Sequence, residues 1–380
     1  MVQTTETIIV GGGLAGVSLA LSLVEAGVDG ARVTVVDAGD ERAGSRCPAT
    51  MLHAFPGRRM SFRRGQDDAF VRSWAKLMEW KEELGGHWIR QAPMVRPLME
   101  DDRGRRLRNT WEESRREYPA LLESEEMGPE QLCERFAGLD SPVPALVYGP
   151  AAGVRLSVLV EALRSRVEKM GVKFVDAAVE VLDGDGAGWS LGLSGGDPMT
   201  AERVILAVGP GLADFFSGLD LRKRAGELAI FDPGDATLEP LLNAAKHIFE
   251  RHDGLWGLGS TYFAVDEWEE RDDAYVLERL KAGVRDVLPA IDDAQLVELW
   301  RGVRGVFGSD HMPLVGPVPC ASGLYTFAAF GSKGLLWAPA SAEDLARFLV
   351  DGAEDAINPH MDSRRMSADK WVMVKEKALV

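Results

Sequence analysis

The stretch with the clearest chemical potential is Gly11-Gly12-Gly13-Leu14-Ala15-Gly16, set between the apolar run Thr7-Ile8-Ile9-Val10 and an apolar segment of helical character. A second apolar run, Arg32-Val33-Thr34-Val35-Val36, ends on Asp37, about 20 residues past the glycines, as a ribose-binding acid should. In this spacing Gly11 permits a tight turn, Gly13 lets the backbone approach a pyrophosphate, and Gly16 lets helix and strand pack closely. The helix start at Leu14 and Ala15 offers N–H groups and the positive end of a helix dipole to phosphate oxygens. Asp37 is placed to accept hydrogen bonds from ribose hydroxyls, and its charge disfavours a 2′-phosphate. The pattern predicts a strand, glycine turn, helix and strand that bind a dinucleotide.

The elements around this fingerprint read as α/β. Residues 39–65 lack a clear period and contain Ala43-Gly44-Ser45-Arg46-Cys47-Pro48-Ala49-Thr50-Met51. Helical spacing predicts a helix over 67–84, and residues 88–98 alternate loosely, as in a strand. A charged stretch follows, with turn signals at Gly104, Gly128-Pro129 and Pro142. Residues 156–170 predict an amphipathic helix closed by Gly171. Strands are expected at 172–175 and 178–182, and a buried parallel strand at 203–208. Residues 217–307 carry strand-like runs near 227–231 and 254–263, then a helix over about 273–287, which fits an antiparallel sheet. A last strand near 324–329 leads to Gly331-Ser332-Lys333-Gly334 and a helix over about 339–350.

Composition narrows the class. A chain of 380 residues exceeds one simple core and predicts two domains. The apolar share of 46% and mean hydropathy of −0.09 are those of a soluble globular chain, with no apolar run long enough to span a membrane. No basic segment precedes the first apolar run, so no signal peptide is expected. Cys47, Cys133 and Cys320 stand far apart, which argues against a disulfide scaffold or a metal site and fits a reducing cytoplasm. The net charge of −16 repels phosphate backbones, so no nucleic-acid partner is expected. The basic run from Arg103 to Arg108 lies beside Glu100, Asp101 and Asp102 and reads as a solvated face. Trp74, Trp80, Trp88 and Trp111 read as core.

Four further blocks are specific. Ala152-Gly153-Val154-Arg155-Leu156 precedes a helix, and Val204 to Pro210 ends on Ala207-Val208-Gly209. Trp300-Arg301-Gly302-Val303-Arg304 is followed by Asp310-His311-Met312-Pro313-Leu314-Val315-Gly316. Gly331-Ser332-Lys333-Gly334-Leu335 is followed by Ala338-Pro339-Ala340. Together with the fingerprint, these blocks resemble the FAD-dependent D-amino-acid oxidase superfamily, above all its glycine/sarcosine oxidase-like branch. The resemblance extends to about residue 365, although Arg155-Leu156 replaces the usual Asp-Pro. The last loop is most similar to the oxidoreductase half of the bifunctional enzymes that complete methylaminomethyl-uridine in tRNA, where Gly-Ser-Arg-Gly is expected. The methyltransferase half has no counterpart in these residues, and the charge disfavours a tRNA substrate.

The resemblance implies a discontinuous Rossmann-like FAD-binding domain (1–85, 145–216 and 308–365). An inserted α+β substrate domain built on an antiparallel sheet (86–144 and 217–307) and a tail (366–380) complete the chain. It implies an enzyme that oxidises the C–N bond of a small amine or amino acid by hydride transfer to the flavin. The imine then hydrolyses, and electrons pass to oxygen or another acceptor. Cofactor contacts are implied for Gly11, Gly13, Leu14, Ala15, Gly16, Asp37, Val179, Ala207, Gly209, Arg304, Gly331, Ser332, Lys333, Gly334 and Leu335. The final helix would present N–H groups to the edge of the ring where negative charge develops. Arg304 is implied to clamp a substrate carboxylate, which a guanidinium can grip with two hydrogen bonds. Lys333 reads as a cation beside the flavin or as a solvated loop lysine. Tyr262 reads as a pocket hydroxyl or as strand packing, and His53 as a residue near the reactive face or as one without a catalytic part. His311 reads as structural. Cys47 is not where relatives with a covalent flavin link carry their cysteine, so FAD is expected to bind noncovalently, with no metal. Alternatives kept open are a flavin-dependent 2-hydroxy-acid dehydrogenase and a flavin-binding protein without turnover. The Val204–Pro210 and Gly331–Gly334 blocks disfavour an enzyme that uses NAD alone.

Overall fold

The computed structural model describes residues 3–55, 60–62, 64–99, 101–119, 123–265, 271–308, 310–319 and 321–374; Cys320 and Glu100 lie outside them. The chain divides into two compact units. The first is Met1–Arg46, Val160–Arg224 and Val303–Val380, and the second is Cys47–Leu159 and Ala225–Gly302. The expected boundaries differ from this division. Residues 47–85 and 145–159 join the second unit, whereas 217–224, 303–307 and the expected tail join the first. The shift has a local cause. Thr50–His53 and Ile89–Gln91 both pair antiparallel with Ala151–Val154 in a three-stranded sheet, which draws the aperiodic segment and its partner into one unit.

In the first unit Gln3–Val10 is central, flanked in parallel by Val33–Asp37 and Met199–Leu206. Lys173–Asp176 extends the sheet beside Val33–Asp37, and Leu324–Ala328 extends it beside Met199–Leu206, both in parallel. Leu314–Pro317 joins antiparallel at Leu324–Ala328, and a hairpin of Val179–Gly184 and Trp189–Leu193 pairs with the early part of Met199–Leu206. Strands covered on both faces read as unbroken apolar runs, which is why Thr7–Val10 and Val33–Val36 were legible. Ile8, Val204, Leu206, Leu314 and Leu324 are fully buried in this core. Each such side chain contributes about 1.5–3 kcal/mol. The helix Leu14–Glu25 is buried at every position from Leu14 to Leu23 except Ala15. It packs against the helix Gly334–Asp351.

The second unit holds a nine-stranded sheet that includes Leu221–Asp232, Trp256–Gly259, His247–Glu250, Leu241–Asn243, Met94–Pro97, Ala145–Gly149 and Glu123–Met127. Its described pairings are antiparallel apart from Leu241–Leu242 beside Met94–Val95. Alternation places Val95, Val147, Ala229, Phe231, Leu242, Ile248, Trp256 and Leu258 in one core with Leu132, Phe136, Val276 and Leu280. The last four come from the helices Pro129–Arg135 and Asp273–Lys281 and the residue after the first of them. Trp80, Trp88 and Trp111 are buried, as core tryptophans should be.

Two local expectations are corrected. Gly104 is not a turn but lies within the helix Asp102–Glu117, whose N-cap Asp101 accepts the Gly104 N–H at 2.8 Å. It is glycine because a Cβ would stand 1.7 Å from the Met99 carbonyl oxygen. Arg105 and Arg108 of that helix pair with Asp102 and Glu126, so two cations of the basic run meet carboxylates on a helix face. The last helix begins at Gly334, with Pro339 inside it. Proline ordinarily favours the first helical position, but here Pro339 stands more than a turn further in, buried in a helix that packs against Leu14–Glu25.

Candidate active site

The parallel strands of the first unit end at one edge, and each end turns on a residue with little or no side chain. Gly11 follows Val10 at φ +106°, in the left-handed region that favours glycine, and its N–H donates to the Val36 carbonyl at 2.7 Å. A Cβ there would lie 2.5 Å from the carbonyl oxygen of Ala207, the residue that ends the neighbouring strand. Ala207 in turn donates its N–H to the Val10 carbonyl at 2.8 Å. Gly16 faces back toward this turn so closely that a Cβ would meet the Gly11 oxygen at 1.9 Å. Helix and strand therefore touch through backbone, as the spacing predicts. Gly13 caps the helix in extended conformation, and Leu14 and Ala15 open it.

Asp37 ends its strand beside the same turn. Its Oδ1 accepts the Gly12 N–H at 2.9 Å, and its carbonyl accepts the Ala177 N–H at 2.9 Å. Val179 begins the next strand, and its buried side chain belongs to the core. Sequence reasoning missed Ser45. Its Oγ accepts the Leu14 N–H at 2.9 Å and would touch a Cβ on Gly13 at 2.6 Å. A hydroxyl therefore stands at the helix start, where backbone N–H groups otherwise lack intrahelical acceptors. The only signal was a small hydroxyl residue after a glycine in an aperiodic stretch.

Arg304 lies on Gln295–Phe307, half-buried, between two anchored neighbours. Val303 donates to the Arg42 carbonyl at 2.8 Å. Gly305 packs so tightly that a Cβ would stand 2.8 Å from both the Gly209 oxygen and the Pro210 Cα, and its carbonyl accepts the Gly331 N–H at 3.0 Å. Ala329 and Gly331 adopt left-handed backbone, at φ +63° and +60°. Ser332 is exposed, and Lys333 stands at the N-cap position of the last helix. The Lys333 carbonyl accepts the N–H groups of Leu336 and Trp337, each at 3.1 Å. Gly334 opens the helix with nothing within 4 Å of an added Cβ, and Leu335 is buried. Two helix starts, three glycine-bearing strand ends and Asp37 thus belong to one sheet edge of the first unit, and Arg304, on a strand that pairs with Leu221–Asp232 of the other sheet, meets it through its neighbour Gly305. Small backbone surfaces and two positive dipole ends suit a long, anionic, planar cofactor.

His53 and Tyr262 fall in the second unit. His53 ends the strand Thr50–His53, buried, with its Nδ1 3.4 Å from the Tyr148 hydroxyl. Burial first, then the charge of Arg96 and the presence of His247, depress its pKa to about 3. The ring is neutral at physiological pH and cannot serve as a cation there. Burial also raises the Tyr148 hydroxyl above its usual range. Tyr262 is 52% exposed, just before the short strand Phe263–Ala264. A groove in this unit is lined by Glu123, Arg135, Tyr148 and Trp74, the last half-buried there rather than in the core, and it includes none of the residues expected to hold cofactor or substrate. Among the described residues no His, Cys, Asp and Glu cluster could hold a metal ion, and no helix is long and apolar enough to cross a membrane.

Known proteins agree with this architecture. The chain is 26% identical over 355 residues to the tRNA 5-methylaminomethyl-2-thiouridine biosynthesis bifunctional protein of Idiomarina loihiensis, covering 90% of this chain and 55% of that one. It thus spans about half the length of the bifunctional relatives it matches. It is 26% identical over 362 residues to the glycine oxidase of Bacillus licheniformis, covering 91% of this chain and 93% of the relative. The crystal structure of glycine oxidase from Geobacillus kaustophilus shares the fold, with a TM-score of 0.80 at 19% identity over 99% of this chain and all of the other. Residues 6–348 match the DAO family, described as FAD dependent oxidoreductase. The chain belongs to that family and is an FAD-dependent oxidoreductase.

Proposed function

We propose that the chain oxidises the C–N bond of a small amine or amino acid, with FAD bound noncovalently along the sheet edge of the first unit. The observation that carries this reading is the convergence of the Gly11–Gly16 turn, the Ala207–Gly209 end and the Gly331–Gly334 loop beside Arg304. When bound, FAD supplies the acceptor for a hydride. The first helix start and Ser45 would hold the diphosphate, and Asp37 the ribose. Gly334 and the helix it opens would lie against the ring, placing a positive dipole end where negative charge grows. Arg304 would take the substrate carboxylate in two hydrogen bonds and so fix the α-carbon. The amine nitrogen, neutral when it reacts, forms the C=N bond of an iminium as the hydride leaves, and water then hydrolyses the iminium to a carbonyl and an ammonium ion. No protein base is required for this sequence, which accords with a neutral His53. Lys333 would modulate the site rather than carry a proton.

The test is an anaerobic visible spectrum of the FAD-loaded protein during addition of amino acids, N-methyl amino acids and 2-hydroxy acids. Bleaching by an amine is expected, and the Arg304→Lys variant should lose about 10–150-fold in kcat/KM for a carboxylate-bearing amine, as for a charged hydrogen bond of about 1.5–3 kcal/mol. Bleaching by hydroxy acids alone would overturn the proposal, as would a protein that cannot be reconstituted with FAD.

A further inference from the structure

Residues 352–374, beyond the stretch matched to the family, fold back onto the first unit. Val315 donates its N–H to the Met361 carbonyl at 2.9 Å, and the hydroxyls of Thr326 and Ser363 meet. Ser217 donates to the Val372 carbonyl at 3.0 Å, and Trp371 meets Phe216 edge-on at 5.0 Å between ring centroids. Arg365 sits within this strap with 16% of its side chain exposed. Its Nη1 donates to the carbonyls of Pro313 at 3.0 Å and Asp362 at 3.2 Å, and its Nη2 donates to Met312 at 3.3 Å. Its Nε lies 3.5 Å from Asp310 Oδ2, and the guanidinium stands 5.4 Å from the Phe307 ring centroid. Four of these five partners belong to the turn 307–313.

That turn joins two parts of the candidate site. Arg304 lies three residues before Phe307 on the same strand, and Leu314–Pro317 after the turn pairs with Leu324–Ala328, which feeds the Gly331–Gly334 loop. Among the described residues of 307–313, His311 donates its N–H to the Phe307 carbonyl at 3.1 Å, Met312 donates to Asp310 Oδ1 at 2.9 Å, and Gly308 donates to the Asp220 carbonyl at 2.7 Å. His311 meanwhile sits in left-handed backbone at φ +58°. A planar guanidinium with five N–H groups can reach two carbonyls and a carboxylate at once, which an ammonium cannot do in fixed geometry.

We infer that Arg365 is a positioning residue that sets Arg304 against the substrate carboxylate by fixing the 307–313 turn. The inference rests on the reading of Arg304 as the carboxylate anchor. It is tested on the full FAD-loaded chain with acetate and acetamide as probes, their Kd taken from perturbation of the flavin absorbance. Arg365→Gln should weaken acetate about tenfold, as small misplacements of a binding group do, and leave acetamide unchanged. Amide hydrogen exchange should quicken within 307–313. Asp310→Asn keeps the bond to Met312 but removes the charge facing Arg365, and should shift acetate in the same direction by a smaller factor; it carries the test if Arg365→Gln does not fold. Adding Arg365→Gln to Arg304→Leu should cause no further loss of acetate affinity, because the two act through one contact. Equal weakening of acetate and acetamide, no weakening, or additive losses in the double variant would each overturn the inference while sparing Arg304. Arg304→Leu with wild-type acetate affinity would overturn the anchor reading itself, and this inference with it.

Discussion

Gly334→Ala separates a glycine kept for a ligand from one kept for the protein. An added Cβ at Gly334 meets no atom within 4 Å, and the residue opens the helix Gly334–Asp351. The polypeptide alone therefore tolerates alanine. Helix propensity favours alanine by at most about 0.5–1 kcal/mol, so the FAD-free variant should unfold at the wild-type temperature or slightly above it. If the flavin ring lies against this backbone, the methyl intrudes into a filled contact, which costs about 1–3 kcal/mol. At about 1.4 kcal/mol per factor of ten, FAD affinity should fall roughly 5–150-fold. Thermal unfolding of the FAD-free protein and an FAD titration followed by flavin fluorescence give the two numbers. An FAD affinity within about twofold of wild type would refute the reasoning, since open space at Gly334 would then face nothing.

Gly16→Ala should behave in the opposite manner. Its Cβ would stand 1.9 Å from the Gly11 carbonyl oxygen, so the FAD-free protein should lose at least about 1–3 kcal/mol, read as a lower midpoint in urea. Asp37→Ala removes the acceptor of the Gly12 N–H and should lower both stability, by about 1–3 kcal/mol, and FAD affinity; Asp37→Asn, which keeps an acceptor, should retain most of the stability in the same urea titration. His53 gives a pH signature. Its folded pKa of about 3 lies below its unfolded value near 6.5, so below pH 6.5 the unfolded chain binds a proton that the folded chain refuses. Stability should then fall with decreasing pH by up to about 1.4 kcal/mol per unit until about pH 3. His53→Gln should flatten that limb in unfolding measured from pH 4 to 8, and an unchanged slope would show that other groups govern it.

Local rules with a strict period made part of this molecule legible. The Gly11, Gly13 and Gly16 spacing encodes contacts between neighbouring elements, so it reads directly from sequence, as does Asp37 at a strand end. Ser45 did not, because its contact with Leu14 spans an aperiodic stretch and no periodic pattern marks it. Gly104 misled because its reason for being glycine is the Met99 carbonyl, not a turn. Pro339 misled because proline ordinarily marks a helix start, whereas this helix begins at Gly334. The unit boundary was missed since the pairing of Thr50–His53 with Ala151–Val154 joins residues about 100 apart, beyond the reach of connections that are usually short.

The central strand of the first unit has one further consequence, for the order of synthesis. Gln3–Val10 finds Val33–Asp37 early, but its other neighbour, Met199–Leu206, emerges roughly 190 residues later. At the ~5–20 residues per second of translation, that wait is on the order of 10–40 s. Through it this central strand keeps an open edge, which invites pairing with other nascent chains. Gly334 follows later still, so the nucleotide seat is completed only after all of these strands have emerged. Free FAD should therefore raise the yield of soluble protein by trapping finished chains rather than by guiding early folding.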